Sequence, residues 1–296
     1  MALPTFVERL DAPIHGYLPY FCNDSSLFSS SKHKAPAWPS LSSSAGYLPP
    51  AFGRCNLAHP LPFAFTIVAP DAAHEFFTWL FESGFGNASH PVRPGAGLAA
   101  FESDFFEEQF GCVEEFQTNV TAARVWSNGF TSAAAKLQLP IQCSMATPSN
   151  LLQSLHQPAV TNFRVSGDYA DGGSWDIGWS SMLVWALGAA PSKDTYWTSN
   201  QSDVAKALAP ECGGAAGCPP DHSNAGCELH SMLAALSTGP AQPSDSVRRT
   251  RKELLLPSMR KDGLLLQPSK PLTVLDRLLD VSAGETYPHT PVDTQC

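Results

Sequence analysis

The stretch "RVSGD" sets Arg164 four residues before Asp168, at the end of the apolar run "AVTNFRVSGD". A Gly-rich turn and the apolar segment "IGWSSMLVWALG" come next. An aspartate in such a place can do two kinds of work. It can cap the following helix, accepting hydrogen bonds from the first backbone N–H groups. It can also be half of a carboxylate pair, in which one ionised group attacks and one protonated group donates to the leaving oxygen. The surroundings of such a pair must hold the two pKa values apart. Comparable residues recur: Asp104 closes "FESD", Ser144 follows "LPIQC", Lys193 and Asp194 follow "APS", and Asp245 ends "STGPAQPSD". Capping is the plainer role for any one of them. Several acidic strand ends in succession favour a shared cleft.

The elements that must carry these residues alternate. "PIHGYLPYF" reads as a short buried strand, and "LPFAFTIV" as another. Between them lies a Ser/Pro-rich loop without periodicity. Pro70 and Asp71 start a helix bearing Phe76, Phe77, Leu80 and Phe81. From Gly97 onward strands over "GLAAFESDF", "LPIQCSMA", "AVTNFRVSGD" and "APSKDTYWT" are separated by helical patterns. The longest pattern runs through Val113, Phe116, Val120, Ala123, Phe130, Ala134 and Leu137 and predicts one long helix. "PSNLLQSL" and "CELHSMLAAL" are shorter helices, and "STGPAQPSD" is the last expected strand. Strand–helix alternation with short connections indicates parallel βα units. In a (β/α) barrel the C-terminal strand ends, where Asp104, Ser144, Asp168, Lys193, Asp194 and Asp245 are expected to fall, form the active site.

In this order the motifs resemble the later part of the catalytic barrel in the retaining glycoside hydrolases that include α-galactosidases and raffinose synthases. "RVSGD" is similar to that clan's Arg-x-x-x-Asp motif at the sixth barrel strand, and "STGPAQPSD" with "KDGLLLQPSKPLTVLD" follow the order of the raffinose-synthase-like branch. The resemblance covers roughly residues 97–276. It implies an α/β fold of the (β/α)8 TIM type, with Asp168 as general acid/base and Asp104, at the fourth strand, as nucleophile. It implies hydrolysis of an α-glycosidic bond with retention, or galactosyl transfer of the raffinose-synthase kind. A fragmentary barrel that only binds carbohydrate is the alternative. Glu102 stands where the clan has lysine; a glutamate there works against ionisation of its neighbour.

Arg164, Trp175, Asp176, Asp194 and Asp245 are the candidate substrate contacts, and for Arg164 a salt bridge to a strand-end carboxylate is an equal reading. Tyr169, Tyr196 and Trp197 offer further sugar-stacking faces, whereas Trp179 and Trp185 read as helix core. The resulting division is an irregular part over 1–96 with early strands, barrel strands four to eight over 97–250, and an extension over 251–296 toward a β-domain. On this count the chain begins inside the barrel, short of its first strands.

Composition narrows the classes. Among 296 residues, 43% are hydrophobic and only 15% charged, enough for a sizeable core, and 26 prolines imply irregular connections. A net charge of −9 speaks against nucleic-acid or anionic-membrane partners. No apolar run reaches the roughly 18 residues of a membrane helix, and "MALPTFVERLDAP" has no apolar core of a secretory signal before its first charges. The cluster "CGGAAGCPPDHSNAGC" lacks tight C-x-x-C pairs, so no metal or cofactor is expected. Sequons at Asn23, Asn87, Asn119 and Asn200 leave the compartment open.

Overall fold

The computed structural model describes residues 13–18, 21–22, 37–39, 65–84, 97–111, 113–119, 121–167, 177–199, 227–245, 248–274 and 292–293. The chain is α/β. Strand β1 (Pro13–Leu18) leads into a small antiparallel sheet of β2 (Phe21–Cys22), β3 (Ala37–Pro39) and β4 (Phe65–Val68), in the order β2-β4-β3. The described part of the apolar segment "LPFAFTIV", Phe65–Val68, thus supplies the centre of this side sheet and no strand of the main one. Helix α1 (Ala73–Trp79) follows a 3-10 turn that begins with Pro70, and a π turn continues it to Gly84. Proline suits such a start because its fixed φ is helical and its missing N–H would be unbonded there anyway.

The main sheet is parallel and five-stranded. Its members are β1, β5 (Gly97–Ser103), β6 (Ile141–Cys143), β7 (Val160–Arg164) and β8 (Ala190–Ser192), adjacent in that order. Between β5 and β6 lie α2 (Phe106–Gly111), α3 (Glu114–Thr118) and α4 (Ala122–Lys136); α5 (Pro148–Ser154) precedes β7 and α6 (Ile177–Ala186) precedes β8. Helices α7 (Cys227–Leu236) and α8 (Lys252–Leu255) and the antiparallel pair β9 (Thr273–Val274) and β10 (Val292–Asp293) complete the described elements. Two compact units divide within β7, at residues 161 and 162.

The first unit packs on aromatic rings. The Phe77 ring meets Phe130 edge-on at 4.8 Å and Trp126 at 5.7 Å. Phe81 reaches Phe101 of β5 at 5.0 Å, and Trp126 stacks on Phe130 at 5.6 Å. Phe106 and Phe110 of α2 and Phe116 of α3 close on Trp126 from the other side. The long helix expected from residue 113 onward is broken. Asn119 is extended (φ −114°, ψ 104°), and its side-chain oxygen accepts from the Thr121 N–H (3.0 Å) and hydroxyl (2.8 Å). Asparagine diverts the backbone in this way because its amide competes with helical hydrogen bonds. The break lets Phe116 and Trp126 approach the same cluster from two directions.

In the second unit the expected last strand runs beside β8 without forming a ladder. Gly239 N donates to Pro191 O (2.8 Å) and Ser244 N to Tyr196 O (2.8 Å), with one parallel bridge between Tyr196 and Pro243. Pro240 and Pro243 carry no N–H, so a continuous ladder cannot form. Helix α6 corrects another expectation: Trp179 and Trp185 are 42% and 39% exposed. Its buried residues are Ile177, Gly178, Ser181 and Val184, and a Cβ on Gly178 would lie only 3.1 Å from the Val274 side chain. The small residues make the close approach to β9, which turns the bulky rings outward.

Helices α1 and α4 cross at Gly129, where a Cβ would stand 2.8 Å from Ala73 Cβ and 2.9 Å from His74 N. Alanine gains about 1 kcal/mol over glycine in helix propensity, yet here it collides with backbone. The Gly129→Ala variant is therefore expected to lose about 1–3 kcal/mol of stability, read by urea unfolding. Unchanged or raised stability would show that the helices do not cross this closely.

Candidate functional site

The strand-end residues fall into two groups, one in each unit. In the first, strand geometry puts alternate residues of β5 on one face. Tyr17 of β1 is register-paired with Glu102, and Glu102 in turn with Gln142 of β6. Asp104 lies just past the strand and is 7% exposed. Its Oδ2 accepts from the Tyr17 hydroxyl at 2.8 Å, and its Oδ1 accepts from the Phe105 N–H at 2.8 Å. His15 approaches the Glu102 carboxylate at 4.0 Å, and burial of its ring lowers its pKa, which favours the neutral imidazole.

The backbone around Asp104 is held in unusual conformations. Phe105 has φ +57° and Met145, past the end of β6, has φ +48°; non-glycine residues enter this region at a cost, and such residues gather at functional sites. The turn is secured by Gln109 Nε2, which donates to Asp104 O (2.6 Å), and by Ser144 N, which donates to Ser103 O (3.0 Å). The N–H groups of Phe106 and Glu107 at the start of α2 reach Ser144 O and Met145 O. Cys143 beside it is buried, and burial together with the Glu102 charge pushes its thiol far up, so it is no nucleophile.

In the second unit Arg164 Nη1 donates to Asp194 Oδ2 at 2.8 Å, with side-chain exposures of 13% and 10%. The other Asp194 oxygen accepts from the Thr195 N–H (2.6 Å). Of the two readings of Arg164, the salt bridge to a strand-end carboxylate is the contact present. The peptide that leads toward Asp168 is tied to the end of β8: Val165 N donates to Ser192 O (2.9 Å), Asp194 N to Ser166 Oγ (2.9 Å) and Lys193 Nζ to Gly167 O (3.5 Å). Asp168, Tyr169, Trp175 and Asp176 themselves lie outside the described residues.

Asp245 is occupied by the protein's own loop. It accepts from the N–H and hydroxyl of Thr198 (2.9 and 2.6 Å) and from the N–H and hydroxyl of Ser199 (both 3.1 Å). Tyr196 and Trp197 are buried, and burial pushes the Tyr196 phenol up to about 12. Neither ring presents a face for stacking. Lys193 is fully buried, and His230 of α7 is buried near it. Of the Cys/His cluster only Cys227 and His230 lie among the described residues, and no three His, Cys, Asp or Glu side chains there are grouped as metal ligands.

Tyr17 and His15 were not singled out in the sequence, although their spacing of two in "PIHGYL" is a strand-face pattern. Gln109 carries no such signal, because its contact depends on the turn at Phe105.

Two predictions follow from these groups. Removing one member of a buried ion pair leaves the other charge uncompensated, at about 3–5 kcal/mol. Arg164→Met and Asp194→Leu are each expected to destabilise by that order, and the double variant to regain much of it, in a denaturation cycle. Additive losses would mean that the pair is not coupled. For His230, burial first and the Lys193 charge second lower the pKa from 6.5 to about 4. Between these values the unfolded chain binds the proton and the folded chain does not, so stability falls as pH drops through this window. The loss reaches about 3 kcal/mol near pH 4. His230→Gln should lack this component when its unfolding is compared with wild type from pH 7 to 4.

Comparison with models of known protein families gives no match for the chain, and comparison with curated proteins gives none either.

Proposed function

We propose that this chain is a retaining glycosidase of α-galactosidase type, with Asp104 as nucleophile and Asp168 as acid/base, working at the C-terminal edge of a (β/α)8-type barrel. The observation that carries this reading is Asp104, a buried carboxylate at a strand's C-terminal end, oriented by one hydroxyl and one N–H donor and followed by a left-handed Phe105. The two donors fix the direction in which the carboxylate points, and a nucleophile must be aimed in this way. The left-handed turn supports the same reading, since residues held in sparsely populated backbone conformations cluster at active sites.

The sheet order supports the barrel. Strands β1, β5, β6, β7 and β8 follow one another without reversal, and the segment from Gly239 to Ser244 adds alongside β8 in the same sense. Right-handed crossovers that advance in one direction set their helices on one face. That is how a barrel wall is built, whereas a doubly wound sheet reverses its order partway. The carbohydrate partner rests on the same reading, as do the substrate contacts assigned to Trp175 and Asp176.

In the proposed cycle the Asp104 carboxylate attacks the anomeric carbon while the Asp168 carboxylic acid protonates the leaving oxygen. Water, activated by the Asp168 carboxylate, then releases the sugar from Asp104. A sugar hydroxyl in place of that water gives transfer of the raffinose-synthase kind. A barrel that binds carbohydrate without catalysis is the second reading. It is favoured by Arg164, Asp194 and Asp245, whose charged atoms are engaged by the protein itself.

The test is turnover of aryl α-galactosides, with a 2-deoxy-2-fluoro galactosyl fluoride as trap. Wild type should acquire one fluorosugar on the peptide containing Asp104, and Asp104→Asn none. Asp168→Ala should lose about 10²–10⁴ in rate on a poor leaving group and keep most of its rate with an activated one. A folded wild type that neither turns over nor is labelled would sink the enzyme and leave the binding reading.

A further inference from the structure

We infer that Tyr17 is the positioning residue of Asp104, supplying from strand β1 the donor that holds its carboxylate ready for attack; this rests on the nucleophile reading above. In the parallel register Tyr17 sits opposite Glu102, and His15 opposite Ala100. Both side chains have a contact one step ahead of their register partner. The Tyr17 hydroxyl leans forward to Asp104, two residues beyond its partner, and the His15 ring leans forward to Glu102 by the same step. Diagonal neighbours on a sheet face are within reach of long and aromatic side chains. The two carboxylates of β5 are therefore met by different residues of β1.

The difference in chemistry between the two contacts gives Tyr17 its role. His15 is held toward its neutral form by burial, so it contributes little charge to Glu102. Glu102 and Asp104 alternate onto one face roughly 6.6 Å apart along the strand, and like charges at that range oppose one another. No described cation lies within salt-bridge distance of the Asp104 carboxylate. The Tyr17 hydroxyl and the Phe105 N–H are the donors recorded on its two oxygens. The N–H is fixed by the turn and also orients the group, but only the phenol can be removed without moving the backbone. The Tyr17 side chain is itself half exposed (49%).

The experiment uses the full chain and its Tyr17→Phe variant, which keeps the ring and loses only the hydroxyl. Two readouts are taken together. The first is the Asp104 carboxyl resonance at neutral pH in protein labelled with ¹³C-aspartate, assigned by its loss in Asp104→Asn. The second is steady-state turnover of an aryl α-galactoside. Tyr17→Phe should move the Asp104 resonance and lower kcat about 10–100-fold with KM changed less than about threefold. An unmoved resonance overturns the contact, and with it the inference. A moved resonance with undiminished kcat, beside an active wild type, overturns the positioning role and leaves Asp104 as nucleophile intact. An inactive, folded wild type overturns the parent reading whatever the resonance does.

Discussion

The feature on which the first unit depends is the meeting of aromatic rings between β5 and the helices that follow it. Phe101 points from the strand into Phe81 and Phe130, and Trp126 joins these to Phe106, Phe110 and Phe116. Each such pair contributes on the order of 0.5–1.5 kcal/mol beyond the area it buries. Its greater effect is geometric. Phe101 and Phe106 flank the sequence Glu102-Ser103-Asp104-Phe105 and are both fixed in the cluster, so the peptide between them has little freedom. Alternation along the strand then forces Glu102 and Asp104 to the face opposite Phe101. The left-handed Phe105 is the conformation in which the chain closes the distance between these two anchors.

The polar strand ends of the second unit serve a different purpose. Arg164 and Asp194 neutralise each other, Lys193 Nζ and the Asp194 N–H hold the Ser166–Gly167 peptide that leads toward Asp168, and Asp245 gathers the Thr198–Ser199 loop. These bonds join β7, β8 and the segment after α7 where ladder hydrogen bonding is short. Three-residue strands and prolines at 240 and 243 leave the backbone few ladder bonds of its own. Buried charged side chains take up that work, which is why acidic residues recur where the strands stop.

How far the residues disclosed this arrangement depends on the range of the interaction. The α/β alternation after Gly97 was legible because the strands are short apolar runs and the longer helices carry apolar residues at helical spacing, both local patterns. The place of "LPFAFTIV" was not, because an apolar strand carries no mark of which sheet it joins. The break at Asn119 lay in a single side chain's competition for backbone donors, against a periodicity that continues on both sides. Trp179 and Trp185 misled for a related reason: size suggests burial, but a helix packed through Gly178 and Ser181 buries its small face. Of the candidate site, Asp104 and Arg164 were legible as strand ends. Tyr17 was not, since its contact spans 87 positions and depends on parallel register and a forward lean.

That forward lean bears on the difficulty posed by Glu102. A second carboxylate two residues from a nucleophile is unfavourable if both side chains compete for the same partner. Parallel register removes the competition, because a donor that leans one step ahead of its partner leaves that partner to the residue behind it. Tyr17 passes over Glu102 to Asp104, and His15 passes over Ala100 to Glu102. Moving β1 by one residue would put Gly16 and Leu18 on this face in place of His15 and Tyr17 and leave both acids without these partners. The register is held by six consecutive pairs, with one irregularity between Ile14 and His15. That irregularity lies immediately before the two residues whose phase matters, where a shift resets which face the following side chains occupy. The polar face of β5 is therefore specified by β1 as much as by its own sequence.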